Sequence, residues 1–152
     1  MLELIHYTHV LAGAVFIGGV IFWEWVLGWT LSDMSPEERR ATSRYLRKYS
    51  GSFILWAMVI TVLAGIARLL MSGMIGSFAD LFQGYGLRAT LALVAVIAGE
   101  ALMSPLRKRM RRGIDEMDND MFLRAYHRHR IVTTSLVAIV LFLMVSMRMG
   151  IY

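Results

Sequence analysis

The side chains able to do chemistry in this sequence stand at the edges of its apolar stretches. His6 and His9 fall near the start of LIHYTHVLAGAVFIGGVIFWEWVLGWTL. An imidazole in such a segment is costly to bury and is a good ligand for iron or copper, so the pair marks a candidate metal site. Arg68, Arg88 and Arg148 interrupt the other apolar stretches. A guanidinium offers a planar fork of N–H donors to a carboxylate, and arginines beside imidazoles are what a haem would require: a nitrogen for iron and forks for propionates. The other reading of each arginine is a side chain at a helix end that reaches back to headgroups. Glu24 and Glu100 form an acidic pair, expected either to face one another and share a proton or to pair with nearby basic loops, the latter being favoured. His127 and His129 read as interfacial and too far from His6 and His9 to share a metal with them.

The elements that must carry these groups are apolar. The 152 residues are 57% apolar and 18% charged, against about 45 to 50% apolar for soluble chains. Four stretches, about residues 4–31, 51–71, 85–104 and 131–150, reach or exceed the roughly 20 residues that cross a bilayer as a helix. The expected fold is an all-α, four-helix transmembrane bundle forming a single domain, 1–152. With no cysteine, disulfides and thiolate metal sites are excluded. The N-terminal run is too long for a signal-peptide core and reads as a retained helix.

Orientation follows from the basic residues. Arg39, Arg40, Arg44, Arg47 and Lys48 fall in the first connection. Arg107, Lys108, Arg109, Arg111, Arg112, Arg124, Arg128 and Arg130 fall in the third, and the second, SGMIGSFADLFQGYG, has none. The positive-inside rule puts connections one and three in the cytoplasm and both termini outside, in a multi-pass protein of the inner (plasma) membrane. The high net charge is then a topology signal, and nucleic acid is not an expected partner. This orientation places His6, His9, Arg68, Arg88 and Arg148 toward the outer face. Glu24 and Glu100 lie roughly 18 to 22 Å deeper at 1.5 Å per residue.

Local patterns fill in the rest. Ser35, Pro36 and Glu38 fit a capping box, predicting a short helix over residues 34–49 near the headgroups. RKRMRR at 107–112 reads as the third span running past the bilayer, touching anionic lipid and stopping at a Gly113 cap. Residues 115–120 form an acidic patch that balances it. Spacing puts His6, His9, Gly13, Phe16, Val20 and Trp23 on one face of the first span. Arg88, Ala92, Ala95, Gly99 and Leu102 make a small-residue stripe on the third, either for close helix packing or as a slot for a flat macrocycle. Gly13, Gly18 and Gly19 would also suit contact with a second copy in a homodimer.

His9 followed by Phe16, Gly19 and Phe22 resembles the first helix of the CopD-like and HemJ-like four-span membrane proteins, whose pattern is a histidine, then tryptophan, glycine and an aromatic. GLRATLALVAVIAGEAL is similar to the HemJ-type third helix, with Arg88 where that family has lysine, and WAMVITVLAGIARLL resembles its second helix. The chain departs from the family at Phe16, at Arg88 and in RIVTTSLVAIV, which replaces an Asn-Glu-x-Pro-like element. Arginine does not readily release a proton, so the resemblance implies haem binding more than that family's oxidation.

The leading expectation is a b-type haem membrane protein with His9 as axial ligand and Arg68, Arg88 and Arg148 as propionate partners. It would carry electrons, or oxidise a small substrate, at the outer side, with a redox partner or quinone. His6 would serve a different centre, a dimer partner or no metal, because residues three apart on one helix do not hold opposite faces of one iron. The alternative implied by the CopD-like resemblance is copper handling, with Met71, Met74, Met147 and Met149 joining the two histidines. A third reading is a structural subunit or assembly factor of a membrane complex.

Overall fold

The computed structural model describes residues 1–50 and 52–149, and the side chains of 48–50 and 148 are not part of that description. Five helices account for nearly all of it, and no strand occurs among the described residues. They are α1 (Leu2–Asp33), α2 (Pro36–Ser50), α3 (Phe53–Met71), α4 (Gly84–Asp115) and α5 (Asn119–Arg148), with a short 3-10 turn at Phe78–Phe82. All but α2 are long and apolar enough to cross a membrane. The starts and ends expected at residues 51 and 150 lie outside the described residues. Elsewhere the helices overrun the apolar stretches, α4 to Asp115 and α5 back to Asn119.

The long helices associate as two antiparallel pairs, α1 with α3 and α4 with α5. Small residues set the approach within each pair. A Cβ at Gly13 would lie 3.5 Å from Thr61 Cγ2 and one at Gly19 3.2 Å from Ile54 Cγ1, so these two glycines are used inside the α1–α3 pair. Gly18 faces open space and alone of the three stays available to another molecule. In the other pair a Cβ at Gly99 would overlap Leu136, which makes the expected small-residue stripe on α4 a close-packing seam. At the end of that stripe Leu102 is exposed and the neighbouring Met103 is buried.

The best-buried apolar cluster lies at the basic end, where Leu31, Ile114, Phe122 and Tyr126 meet with Met34, Met110 and Leu123 around them. Inside it sits Arg39, only 2% exposed. Its Nε donates to Leu31 O at 2.6 Å, its NH2 group to Met34 O at 2.9 Å and its NH1 group to Asn119 Oδ1 at 2.8 Å. The guanidinium also lies 4.3 Å from the centre of the Phe122 ring, a cation–π contact. One side chain of α2 thereby joins the end of α1 to the start of α5.

The capping box at α2 forms as the sequence implied: Ser35 N–H donates to Glu38 Oε2 at 3.0 Å and Glu38 N–H to Ser35 Oγ at 3.3 Å. The α4 stop differs from the expectation. Gly113 is inside the helix, where a Cβ would come 2.7 Å from Phe122 N, so its role is to let α5 close on α4. The left-handed cap residue is Met117, φ 57°. Asp118 N–H reaches back to Gly113 O at 2.8 Å, which completes a Schellman turn, and Asp118 Oδ1 then caps α5 by accepting Met121 N–H at 2.8 Å.

Two expected outcomes follow. A left-handed conformation costs a side-chain-bearing residue roughly 1–2 kcal/mol, so Met117→Gly should stabilise the protein by about 1 kcal/mol in detergent unfolding. Hydrogen bonds from the Ser35 side chain and backbone hold the exposed Glu38 carboxyl below its usual range. Its contribution to the α2 start is therefore present above about pH 4.3 and is lost as pH falls through the depressed value. In circular dichroism titrations, Glu38→Ala should remove that acid-side loss of helicity.

Candidate functional site

Where the N-terminal half of α1 packs on the C-terminal half of α3, the His9 ring lies on Gly65, where a Cβ would come 2.9 Å from His9 Cε1. His9 Nδ1 is 2.8 Å from Thr61 O. A carbonyl oxygen only accepts, so Nδ1 carries the hydrogen and, in the neutral ring, Nε2 carries the lone pair. Thr61 O takes this donor on a spare lone pair, while its own hydroxyl donates to Ala57 O at 2.7 Å. An imidazole fixed through Nδ1–H to a carbonyl and presenting Nε2 is the arrangement that metal-ligating histidines adopt.

The other sequence-selected residues cluster around this end less tightly. His6 is half-buried one turn away, its Nδ1 without a hydrogen-bond partner and its ring tilted against Tyr7. Arg68, one turn beyond Gly65 on α3, donates from NH1 to the Tyr85 hydroxyl at 3.3 Å, which ties α3 to α4. Arg88 is half-buried one turn along α4 from Tyr85. The side chain of Arg148 lies outside the described residues. Among the described residues, no three His, Cys, Asp or Glu side chains converge on a common point.

Sequence reasoning missed a second site, at the joint between the two helix pairs. Residues Trp23–Leu27 of α1 form a π-helical turn, in which Gly28 N–H donates to Trp23 O five residues back. The Glu24 carbonyl accepts a hydrogen bond from the Tyr126 hydroxyl at 2.6 Å. A Cβ at Gly28 would overlap the Tyr126 ring, so glycine is required for that approach. The Glu24 carboxylate meets His129, Oε1 to Nδ1 2.9 Å, with the two side chains 4% and 6% exposed. Glu100 is elsewhere, paired with Arg107 at 2.5 Å. The two glutamates thus do not face one another: Glu100 pairs with Arg107 and Glu24 with His129, both partners from the basic connection, here drawn into helices, and His129 is buried while His127 is exposed.

The proton at this pair can be placed. Thr133 Oγ1 is 3.0 Å from Met103 Sδ, a sulfur that only accepts, so the hydroxyl hydrogen points there and its oxygen is left to accept. His129 Nδ1, 3.3 Å from that oxygen and 2.9 Å from Glu24 Oε1, is therefore the donor. Glu24 Oε2 and His129 Nε2 are buried without hydrogen-bond partners. Next to them Arg130 lies over the Trp29 ring at 4.7 Å and the Trp25 ring at 5.2 Å, a cation shared among aromatic faces. The signal that could have found this site is a glutamate in one apolar stretch and a histidine at the edge of another, since ionisable groups in apolar surroundings seek one another.

No protein-family model, curated protein or solved structure matches the chain.

Removing one member of a buried hydrogen-bonded pair strands the other's polar group, at a cost of about 1–3 kcal/mol. His129→Ala should accordingly lower stability by about that amount, and Glu24→Gln by less, since an amide still accepts from Nδ1. Replacing both by leucine should recover most of the loss, and thermal unfolding of the single and double variants gives the coupling directly.

Proposed function

We propose that the chain is a b-type haem-binding protein of the inner membrane, its four spans crossing with both termini outside and the connections carrying most of the basic residues in the cytoplasm. It transfers electrons or acts on a small redox substrate at the outer side. The observation that carries this reading is the His9 imidazole, held through Nδ1–H by Thr61 O and seated on Gly65, which frees Nε2 for iron. The resemblance of the first three spans to HemJ-like proteins points the same way.

The residues present fit an axial imidazole. His9 is the ligand, Gly65 leaves the ring its place, and Arg68 and Arg88 are the guanidinium groups at that end that would face the propionates, with Arg148 a further candidate from the sequence. Bound haem would supply one-electron chemistry at its iron, tuned by its axial ligand and by the polarity around it. The protein's own part is to hold the imidazole in one tautomer and to keep the ring orientation fixed. The hydrogen bond to Thr61 O does both.

Absorption spectra of the detergent-purified protein, before and after dithionite, test this. The expected result is a Soret band with reduced α and β bands, lost in His9→Ala and weakened in Arg88→Ala. Gly65→Ala should shift the spectrum or lower haem occupancy, because its methyl group would press on the ring. A wild-type protein that is colourless after expression with ample haem would remove the reading.

A further inference from the structure

The basic ends of α4 and α5 enclose a groove of about 390 Å³. Arg109 and Arg112 line it from α4 and Arg124 and Arg128 from α5, with Leu106 and Met121 contributing apolar surface. On each helix these residues recur at intervals of three or four, which puts them on one face and turns the two faces toward the same space. Arg112 is paired with Glu116, Nε to Oε1 2.8 Å, in an exposed contact within its own helix. Arg109, Arg124 and Arg128 have no ion pair among the described residues. Three guanidinium groups therefore border one groove with no carboxylate between them, an arrangement complementary to an anion.

Position selects the kind of anion. The apolar run of α4 ends near residue 104 and that of α5 begins near 131, so Leu106 and Arg128 sit about 3 to 5 Å along their helices beyond the apolar spans, and Arg109, Arg124 and Arg112 about 8 to 12 Å, from where their long side chains reach back toward the same layer. The polar layer of a bilayer is about 5 to 7 Å deep on each side, so the groove begins at headgroup depth. Its arginines match phosphate oxygens through their forks, and its apolar lining suits a glycerol backbone and the first methylenes of an acyl chain.

We infer that this groove is a binding site for the phosphate of an anionic phospholipid. The site rests on the spans crossing a bilayer and is independent of haem ligation at the other end.

The test uses the full-length protein in neutral detergent, with phosphatidylglycerol, phosphatidylcholine and inorganic phosphate added separately at matched concentrations. Native mass spectrometry counts bound lipid and thermal unfolding reads the stabilisation. Phosphatidylglycerol should bind and raise the midpoint, and Arg109→Gln with Arg128→Gln should weaken it roughly 10- to 30-fold, the loss for two arginines that stop facing an anionic headgroup. Lys108→Gln with Arg111→Gln removes the same charge outside the groove and should leave binding close to wild type. Arg109→Lys with Arg128→Lys keeps the charge and should bind at an intermediate level, which guards against misfolding of the glutamine pair. Equal loss in the inside and outside glutamine pairs would overturn the site in favour of diffuse attraction. Equal binding of phosphatidylcholine would overturn it too, and an equal midpoint shift with inorganic phosphate would reassign the groove to a soluble anion. The absorption spectrum, read on the same variants, separates this result from the haem reading.

Discussion

A helix leaves its last four carbonyls without partners, and at the end of α1 these include Leu31 O, on a buried residue, and Ser32 O. Arg39 answers that constraint. Its guanidinium takes Leu31 O, Met34 O and, at 3.3 Å, Ser32 O, while its remaining edge binds Asn119 at the start of α5. A cation suits this position twice, because it both donates hydrogen bonds and faces the negative end of the α1 dipole. The bends that return the chain from α1 into α2, and the seating of Phe122 beneath them, follow from that one side chain. At the opposite end of the molecule Arg68 ties α3 to α4 through the Tyr85 hydroxyl.

The two ends of the molecule solve the problem of an imidazole in an apolar setting in different ways. His9 is fixed by a neutral carbonyl and stays half-buried, with its second nitrogen in reserve. His129 is fixed by a carboxylate and is buried, with Thr133, Met103 and Tyr126 completing the surroundings of the pair. The first arrangement suits a ligand to be added from outside the chain. The second suits internal attachment of one helix pair to the other, with Arg130 supplying positive charge nearby.

Much of the architecture was legible in the sequence because it depends on local signals. Run length gave the four helices long and apolar enough to cross a membrane, 3/4 spacing gave the less exposed face of α1 with His6, His9 and Gly13, and Ser35 with Glu38 gave the start of α2. What was not legible depends on which helix meets which. Gly113 reads as a terminator by composition, yet the backbone of Phe122 presses on it, a fact that belongs to the α4–α5 crossing. Arg39 looks like one of five loop cations until the carbonyls around it are known. Glu24 was paired by sequence reasoning with groups at its own depth on the basic side, because nothing in the pattern announced that a π turn would carry it toward α5. At the candidate site, His9 was legible as an imidazole in an apolar helix, whereas Thr61 and Gly65 carry no chemical signature and enter only through their backbone.

The π turn also divides the labour of α1. One extra residue in a helical turn rotates everything after it by about 100° relative to an uninterrupted helix. Residues before Trp23 keep their face on α3, and residues from Glu24 to Leu31 present theirs to α5. The first of these docking events needs only the N-terminal half of the chain, while the second waits for Tyr126 and His129 near its end. During synthesis Glu24 therefore stays without its partner through three helices of elongation, and the last helix to be made is the one that relieves it.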